Sequence, residues 1–161
     1  MRNKTHRILI VLTMIYLAQI AYFYPQMPAQ VASHFNFWGE ADGWMPKENF
    51  LIFQLFLLVF ILGTTSLIPA FFRKLPDSLI NIRNKSYWLA PERREESIHK
   101  FARVSDNLRV ALLMFFLGIN YYAFEANIYG GNLSNGVWLI LGVFLLYTLY
   151  WTIGLRNAFK L

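Results

Sequence analysis

The side chains best suited to chemistry lie close together, between residues 34 and 42. One imidazole, one amide and two carboxylates fall within these nine residues, on His34, Asn36, Glu40 and Asp42. Imidazole and carboxylate groups are metal ligands, and with the amide they can also bind a polar molecule. We therefore take the four residues as a candidate outer-loop site for a ligand or partner. If a metal binds, its expected ligands are His34, Glu40 and Asp42.

The same stretch also permits a structural interpretation. It has no HExxH motif, and its acidic spacing differs from that of calcium-binding loops. Asparagine and aspartate commonly cap turns, and a histidine can simply bond the backbone. If residues 34–38 are extended, their side chains alternate, and His34 and Asn36 share one face. Phe35 and Phe37 then share the opposite, apolar face.

A second candidate group lies in the long segment 73–107. Tyr87, Trp88, Arg93 and Arg94 combine two aromatic rings with two guanidinium groups. Aromatic and arginine side chains are enriched where proteins dock, so these residues are a candidate surface for a cytoplasmic protein. The alternative is that the rings anchor at the lipid headgroups while the basic residues attract anionic lipid.

Four long apolar blocks must position both groups. The chain is 57% hydrophobic and 15% charged, and nearly all the charges fall between the blocks. Since about 20 apolar residues cross a hydrocarbon core of roughly 30 Å, each block predicts one spanning helix. The predicted fold class is an all-α integral membrane protein with four transmembrane helices, and residues 1–161 form one membrane domain. The spans are predicted at residues 8–24, 50–72, 108–125 and 137–155.

The basic residues predict the orientation of the chain. Fourteen of the fifteen lie in segments 1–7, 73–109 and 156–160, and Lys47 is the exception. Basic residues are retained in the cytoplasm, so both termini and the long basic loop are predicted inside, and the loop 25–49 outside. Topology therefore accounts for the net charge of +6, and no nucleic-acid partner is expected. The first span is predicted to be a retained anchor rather than a cleavable signal peptide.

Both long loops are predicted to be ordered. The outer loop has 25 residues, longer than unstructured connections usually are. In the inner loop, Pro91 followed by acidic residues predicts the start of a helix. Apolar residues at spacings of three and four make that helix amphipathic, and we expect it to lie along the inner leaflet and run into the third span. The stripe consists of Ile98, Phe101, Ala102, the small residue Ser105, and Leu108.

Few polar side chains fall within the predicted spans. Gln19, Gln54 and Asn120 are amides, residues 64–66 are Thr-Thr-Ser, and none of these is ionisable. Proton relays and ion-coupled transporters use ionisable groups at membrane depth, so those functions are disfavoured. We predict that the amides hydrogen-bond between helices. Arg109 is expected to extend from the start of the third span toward the headgroups.

Two motifs resemble a known family. After a proline-containing approach, HFN at 34–36 is followed by GExDG at 39–43, and NKxYWLAPER occupies 84–93. Both are similar to segments of the Sdp immunity protein (SdpI) family and its uncharacterised bacterial membrane relatives, a domain of unknown function. The resemblance covers the N-terminal part of the family, whose fuller members carry further C-terminal spans. It implies a multi-pass protein of the bacterial plasma (inner) membrane. For the best-known members it also implies protection from the cell's own toxin and retention of a transcriptional repressor.

These observations lead to one main functional hypothesis and two alternatives. The main one is a non-enzymatic SdpI-like membrane protein for toxin immunity or extracytoplasmic sensing. The alternatives are a small metal-dependent membrane enzyme that uses the outer loop, and an accessory subunit of a larger membrane complex. No catalytic motif is found, and no cofactor is expected. The expected partners are the lipid bilayer, anionic lipid at the inner loop, a secreted peptide or a cytoplasmic protein, and a second copy of the chain.

Overall fold

Five helices and one β-hairpin make up the computed structural model, which describes residues 2–161 except the side chains of 2, 3, 64–66, 68 and 69. The helix α1 (Arg2–Phe23) ends in a short turn that contains Pro25, which cannot continue the helical hydrogen bonds. The remaining elements, in chain order, are β1 (Gln30–Phe35), β2 (Ala41–Pro46), α2 (Lys47–Lys74), α3 (Lys85–Trp88), α4 (Arg94–Tyr129) and α5 (Gly136–Ala158).

The long helix α4 lies at the centre of the fold. It packs against α1, α2 and α5, and the hairpin covers the end of the bundle where α4 finishes. The main apolar core joins α1, α2, α4 and the hairpin, and it includes Ile20, Val31, Phe50, Leu113 and Phe124. The hairpin therefore belongs to the folded core rather than to a loose outer loop.

In the portion of the chain that the structure describes, three helical segments are long and apolar enough to cross a membrane: Lys4–Gln26, Arg94–Tyr129 and Gly136–Ala158. They contain the first, third and fourth predicted spans. The second predicted span, 50–72, is helical throughout within α2. The predicted polar group at 64–66 lies outside the described side chains.

The predicted inner helix and the third span are one continuous helix. The structure begins α4 at Arg94, after a turn in which the Arg94 N–H donates to the Ala90 carbonyl at 3.0 Å, so Pro91 precedes the helix. The apolar stripe is present, but it faces protein. Ile98 is buried in a cluster with Phe72 and Ile80, which place the start of α4 against the segment that follows α2.

Three buried polar side chains link α1, α2 and α4. The Tyr16 hydroxyl donates to Gln54 Oε1 at 2.6 Å, and Gln54 Nε2 donates to Asn120 Oδ1 at 3.1 Å. Asn120 Nδ2 in turn donates to the Tyr16 hydroxyl at 3.0 Å and to Gln54 Oε1 at 2.9 Å. The prediction that the amides join helices is confirmed. Tyr16 is the member that the sequence does not reveal, because its ring fits an apolar block.

Two other polar side chains are less completely paired. Gln19 Nε2 donates to the Leu117 carbonyl at 3.0 Å, which adds a second link between α1 and α4. Arg109 does not extend freely, since it bonds Asp106 at 3.0 Å and its side chain is mostly covered. Within the described part of the chain, Gln19 Oε1 and Arg109 Nε are buried atoms without a hydrogen-bond partner.

Candidate functional site

The candidate outer-loop residues lie at the tip of the antiparallel hairpin. In the register of the two strands, Gln30 faces Pro46 and Ala32 faces Trp44, with an irregularity between Ala32 and Phe35. Of residues 34–38, whose side chains alternate if the stretch is extended, only His34 and Phe35 belong to a strand. Residues 36–40 form the turn, so Asn36 is a turn residue and does not share a strand face with His34.

Asn36 holds this turn together with both ends of its side chain. Its Oδ1 accepts the backbone N–H of Trp38 at 2.9 Å and that of Glu40 at 3.0 Å. Its Nδ2 donates to the Glu40 carboxylate at 2.9 Å. The Asn36 backbone N–H also donates to the Glu40 carbonyl at 2.8 Å. The side chain thus replaces main-chain turn bonds, which is the structural role that asparagine commonly plays.

The four predicted ligand residues separate into two pairs. His34 Nδ1 bonds Asp42 across the strands, while Glu40 bonds Asn36 within the turn. Among the residues that the structure describes, no three His, Cys, Asp or Glu side chains come together as metal ligands would. The His34 side chain is 73% exposed and that of Asp42 is 45% exposed, so the pair forms a polar surface on the hairpin.

The hairpin is fastened to the helix ends at two points. Asn127, in the last turns of α4, accepts the Ala32 N–H at 2.6 Å and donates to the Ala32 carbonyl at 3.0 Å. At the tip, the Leu133 N–H donates to the Gly39 carbonyl at 2.7 Å. Gly39 has a φ of +82°, and a Cβ there would lie 2.8 Å from the Leu133 oxygen, so both conformation and space require glycine.

Loosening the first attachment should mobilise the hairpin. We expect Asn127→Leu to lower the free energy of unfolding by about 1–2 kcal/mol, because both Ala32 backbone groups lose a partner. Hydrogen exchange should become faster in residues 30–46 than in the rest of the chain. Asn132→Ala, in the connection before α5, is the matched control. Unchanged exchange in the hairpin of Asn127→Leu would contradict the attachment.

The hairpin also displays aromatic side chains that the sequence does not single out as a group. Phe37 and Trp38 at the tip are 73% and 76% exposed, and Trp44 on β2 is 61% exposed. The Phe37 ring lies 4.9 Å from that of Trp138, at the start of α5. Alternation along β2 is the signal that identifies Trp44, since Asp42, Trp44 and Pro46 are exposed whereas the residues between them are partly covered.

The four candidate docking residues of the inner loop lie at the opposite end of the bundle. They do not form the single exposed surface that is expected of them. Trp88 is buried, and its Nε1 donates to the Phe159 carbonyl at 3.0 Å. Its ring stacks edge-on against Phe159 at 5.7 Å, and Lys100 Nζ lies 3.6 Å from the ring centroid. Asn84 Nδ2 donates to the same Phe159 carbonyl at 2.9 Å. The indole therefore holds the segment after α5 and is not open for docking.

Arg94 also faces inward. Its guanidinium donates to the Leu75 carbonyl at 2.9 Å and to the Phe72 carbonyl at 3.3 Å, and it pairs with Asp77. These bonds satisfy carbonyls at the C-terminal end of α2, which lack partners within the helix. A positive charge at that end is also favourable for the helix dipole.

Tyr87 and Arg93 remain at the surface. The Arg93 guanidinium lies 4.1 Å from the centre of the Tyr87 ring, and it also pairs with Glu92 at 3.2 Å. Nearby, Arg73 donates two hydrogen bonds to Glu95, which lies before the predicted third span. These bonds stabilise the carboxylate and lower its pKa. Of the four inner candidates, Tyr87 and Arg93 have the most exposed side chains, and Trp88 is buried.

Comparison with known protein families finds a match for the part of the chain that contains the hairpin. A family model described as a domain of unknown function (DUF1648) matches residues 8–60, which are 53 of the 161 residues. No curated protein matches the chain, and no solved structure does. From within α1, through the hairpin, to the middle of α2, the chain is similar to this domain of unknown function.

Proposed function

We propose that this chain is a non-enzymatic protein of the bacterial plasma membrane that spans the bilayer four times, with both termini in the cytoplasm. The hairpin end then faces outward, and it recognises an extracytoplasmic molecule whose presence the protein senses or against which it shields the cell. The helix directions support this arrangement, since successive long helices run in alternating directions and the basic segments fall at the end away from the hairpin. The SdpI-like motifs make toxin immunity the sharpest form of the proposal.

The proposed recognition role rests on one observation: the hairpin is bonded to the helix ends, while the aromatic side chains at its tip are exposed. Asn127 and Leu133 fix it at two points, and Phe37 and Trp38 still project with about three quarters of their surface exposed. An ordered aromatic surface loses little conformational entropy on binding, which is why such side chains dominate recognition sites. Aromatic anchoring in the headgroup layer uses the same residue types, so the experiment must separate the two roles.

The test uses a bacterial host in which the gene is deleted and then restored as wild type or as a Phe37→Ser/Trp38→Ser variant. Cells are exposed to the peptide fraction of their own culture supernatant, and both growth and transcription are measured. Deletion should alter at least one of these responses, and wild type should restore it. The variant should fail to restore the response while reaching the same amount in the membrane.

A Tyr22→Ser/Tyr129→Ser variant is the matched control, because both rings are exposed near the same end of the bundle but lie outside the hairpin. It should restore the response fully. If deletion changes neither growth nor transcription, or if the hairpin variant restores both, the proposed function is wrong. Equal loss in the two variants would indicate general anchoring by aromatic rings.

A further inference from the structure

The rest of the fold covers the β1 edge of the hairpin but not the β2 edge. The Lys47 N–H donates to the Ala29 carbonyl at 3.0 Å, so residues 29 and 47 form a hydrogen-bonded pair. Antiparallel pairs alternate, and by the observed register Ala32 and Trp44 form a non-hydrogen-bonded pair. The peptide groups of both residues therefore point away from the partner strand. On β1 this outward group is Ala32, and the Asn127 amide covers it in the way a neighbouring strand would.

The equivalent group on β2 is left open. By this register the N–H and C=O of Trp44 point away from β1, and no turn, loop or side-chain hydrogen bond reaches them among the residues that the structure describes. The indole beside them is 61% exposed. An uncovered strand edge is a template for a further strand, and proteins normally block such edges. Here the Asn127 amide blocks the β1 edge at Ala32. On β2, Pro46 has no N–H to offer to a further strand, so the open part of this edge is the peptide group of Trp44.

The charges around the open edge favour a cationic partner. The outer loop carries three carboxylates and one lysine. Asp42 is exposed on the same strand face as Trp44, and Glu48 is exposed in the first turn of α2. An extended cationic segment along β2 would thus pair its backbone with Trp44 and its side chains with nearby carboxylates.

We propose that the β2 edge at Trp44 binds an extended, cationic peptide by adding it as a third strand. This proposal rests on the proposed function and names the ligand class that the hairpin recognises. The backbone of the peptide supplies the hydrogen bonds, lysine or arginine side chains meet the acidic surface, and apolar side chains pack on the Trp44 indole. Recognition therefore depends on extended conformation and charge more than on a unique sequence.

Binding is measured on the full chain in zwitterionic lipid nanodiscs, with empty nanodiscs as the background. The probe is a synthetic peptide of alternating lysine and valine. Two matched peptides test the mechanism: one replaces lysine by glutamate, and the other is N-methylated at every peptide bond, which removes its donors but keeps its side chains. Each should bind at least roughly tenfold more weakly than the probe. Hydrogen exchange should slow in residues 41–46 when the probe binds.

Variants of the protein locate the site. Trp44→Pro removes the outward N–H and should abolish the protection of β2, whereas Trp44→Phe keeps the N–H and should retain most binding. Asp42→Asn/Glu48→Gln should weaken binding of the cationic probe by several-fold. If Trp44→Pro fails to fold, the N-methylated peptide on the wild-type protein tests the same hydrogen bonds.

The strand-addition proposal is overturned if the N-methylated peptide binds as well as the probe, or if the probe binds no better than to empty nanodiscs. It is also overturned if protection appears only outside β2. These results would leave the proposed function standing whenever the Phe37→Ser/Trp38→Ser variant still loses its cellular response. Conversely, the peptide can prove to bind β2 as a third strand while deletion of the gene changes neither growth nor transcription. The proposed function would then be wrong, and the binding site would still stand.

Discussion

Asn120→Leu is expected to lower the free energy of unfolding by about 2 kcal/mol. Asn120 makes hydrogen bonds to both Tyr16 and Gln54, and all three side chains are buried where α1, α2 and α4 meet. Leucine has a similar volume but leaves the Gln54 amide without its acceptor. Because the Gln54 side chain is buried, solvent does not replace that acceptor. Chemical unfolding in detergent micelles, followed by circular dichroism, measures the change.

A pair of tyrosine variants tests whether the effect belongs to the network. Tyr16→Phe removes a fully buried hydroxyl and should lower the unfolding free energy by about 1 kcal/mol. Tyr150→Phe removes the hydroxyl of a ring that is 72% exposed, and it should have almost no effect. In the double variant Tyr16→Phe/Asn120→Leu, the loss should be smaller than the sum of the two single losses. Strict additivity would show that the three side chains do not act as a unit.

Trp88→Ala is expected to have the largest effect, about 3–5 kcal/mol, which is typical for truncating a buried aromatic side chain. It removes the indole that packs on Phe159, its hydrogen bond to the Phe159 carbonyl, and the ring face beneath Lys100. The segment after α5 should then detach from the inner loop. Limited proteolysis should cleave residues 156–161 faster, and thermal unfolding in detergent should begin at a lower temperature.

The neighbouring residue is the control for this prediction. Tyr87→Ala removes an aromatic ring next in sequence that is 39% exposed and contacts Arg93. We expect a loss of at most about 1 kcal/mol, the usual value of an exposed cation–π contact. If Trp88→Ala and Tyr87→Ala reduce stability equally, then Trp88 does not have the inward role that its contacts indicate. A cytoplasmic docking role is more consistent with Tyr87 and Arg93 than with Trp88.

The helices could be predicted from the sequence with little error. The predicted spans at 50–72 and 137–155 fall within α2 and α5, and the span at 8–24 ends one residue beyond α1. In an apolar environment the backbone must satisfy its own hydrogen bonds, which is why these blocks are helical. The inner helix is predicted to run into the third span, and α4 is indeed continuous from Arg94 to Tyr129. Its amphipathic first half packs on Phe72 and Ile80, and a sequence stripe does not distinguish a protein surface from a lipid surface.

The candidate sites were harder to predict, because residue type does not specify a partner. His34, Asn36, Glu40 and Asp42 are adjacent in sequence, yet the bulged hairpin pairs His34 with Asp42 and turns Asn36 toward Glu40. Arg94 has a side chain suited to docking, but it donates hydrogen bonds to carbonyls at the end of α2. The open edge at Trp44 cannot be predicted from residue type, because the direction of its peptide group depends on the strand register.

The positions of the long apolar helices and the pairing of amides between them follow from local composition, since polar groups in apolar surroundings must find partners within the protein. Which groups meet depends on the tertiary structure. Tyr16 joins Gln54 across 38 positions and Asn120 across 104, and Asn127 reaches Ala32 across 95. Such contacts depend on helix packing and strand register, in which a shift of one residue turns a side chain to another face. The covered edge at Ala32 and the open edge at Trp44 are consequences of that packing.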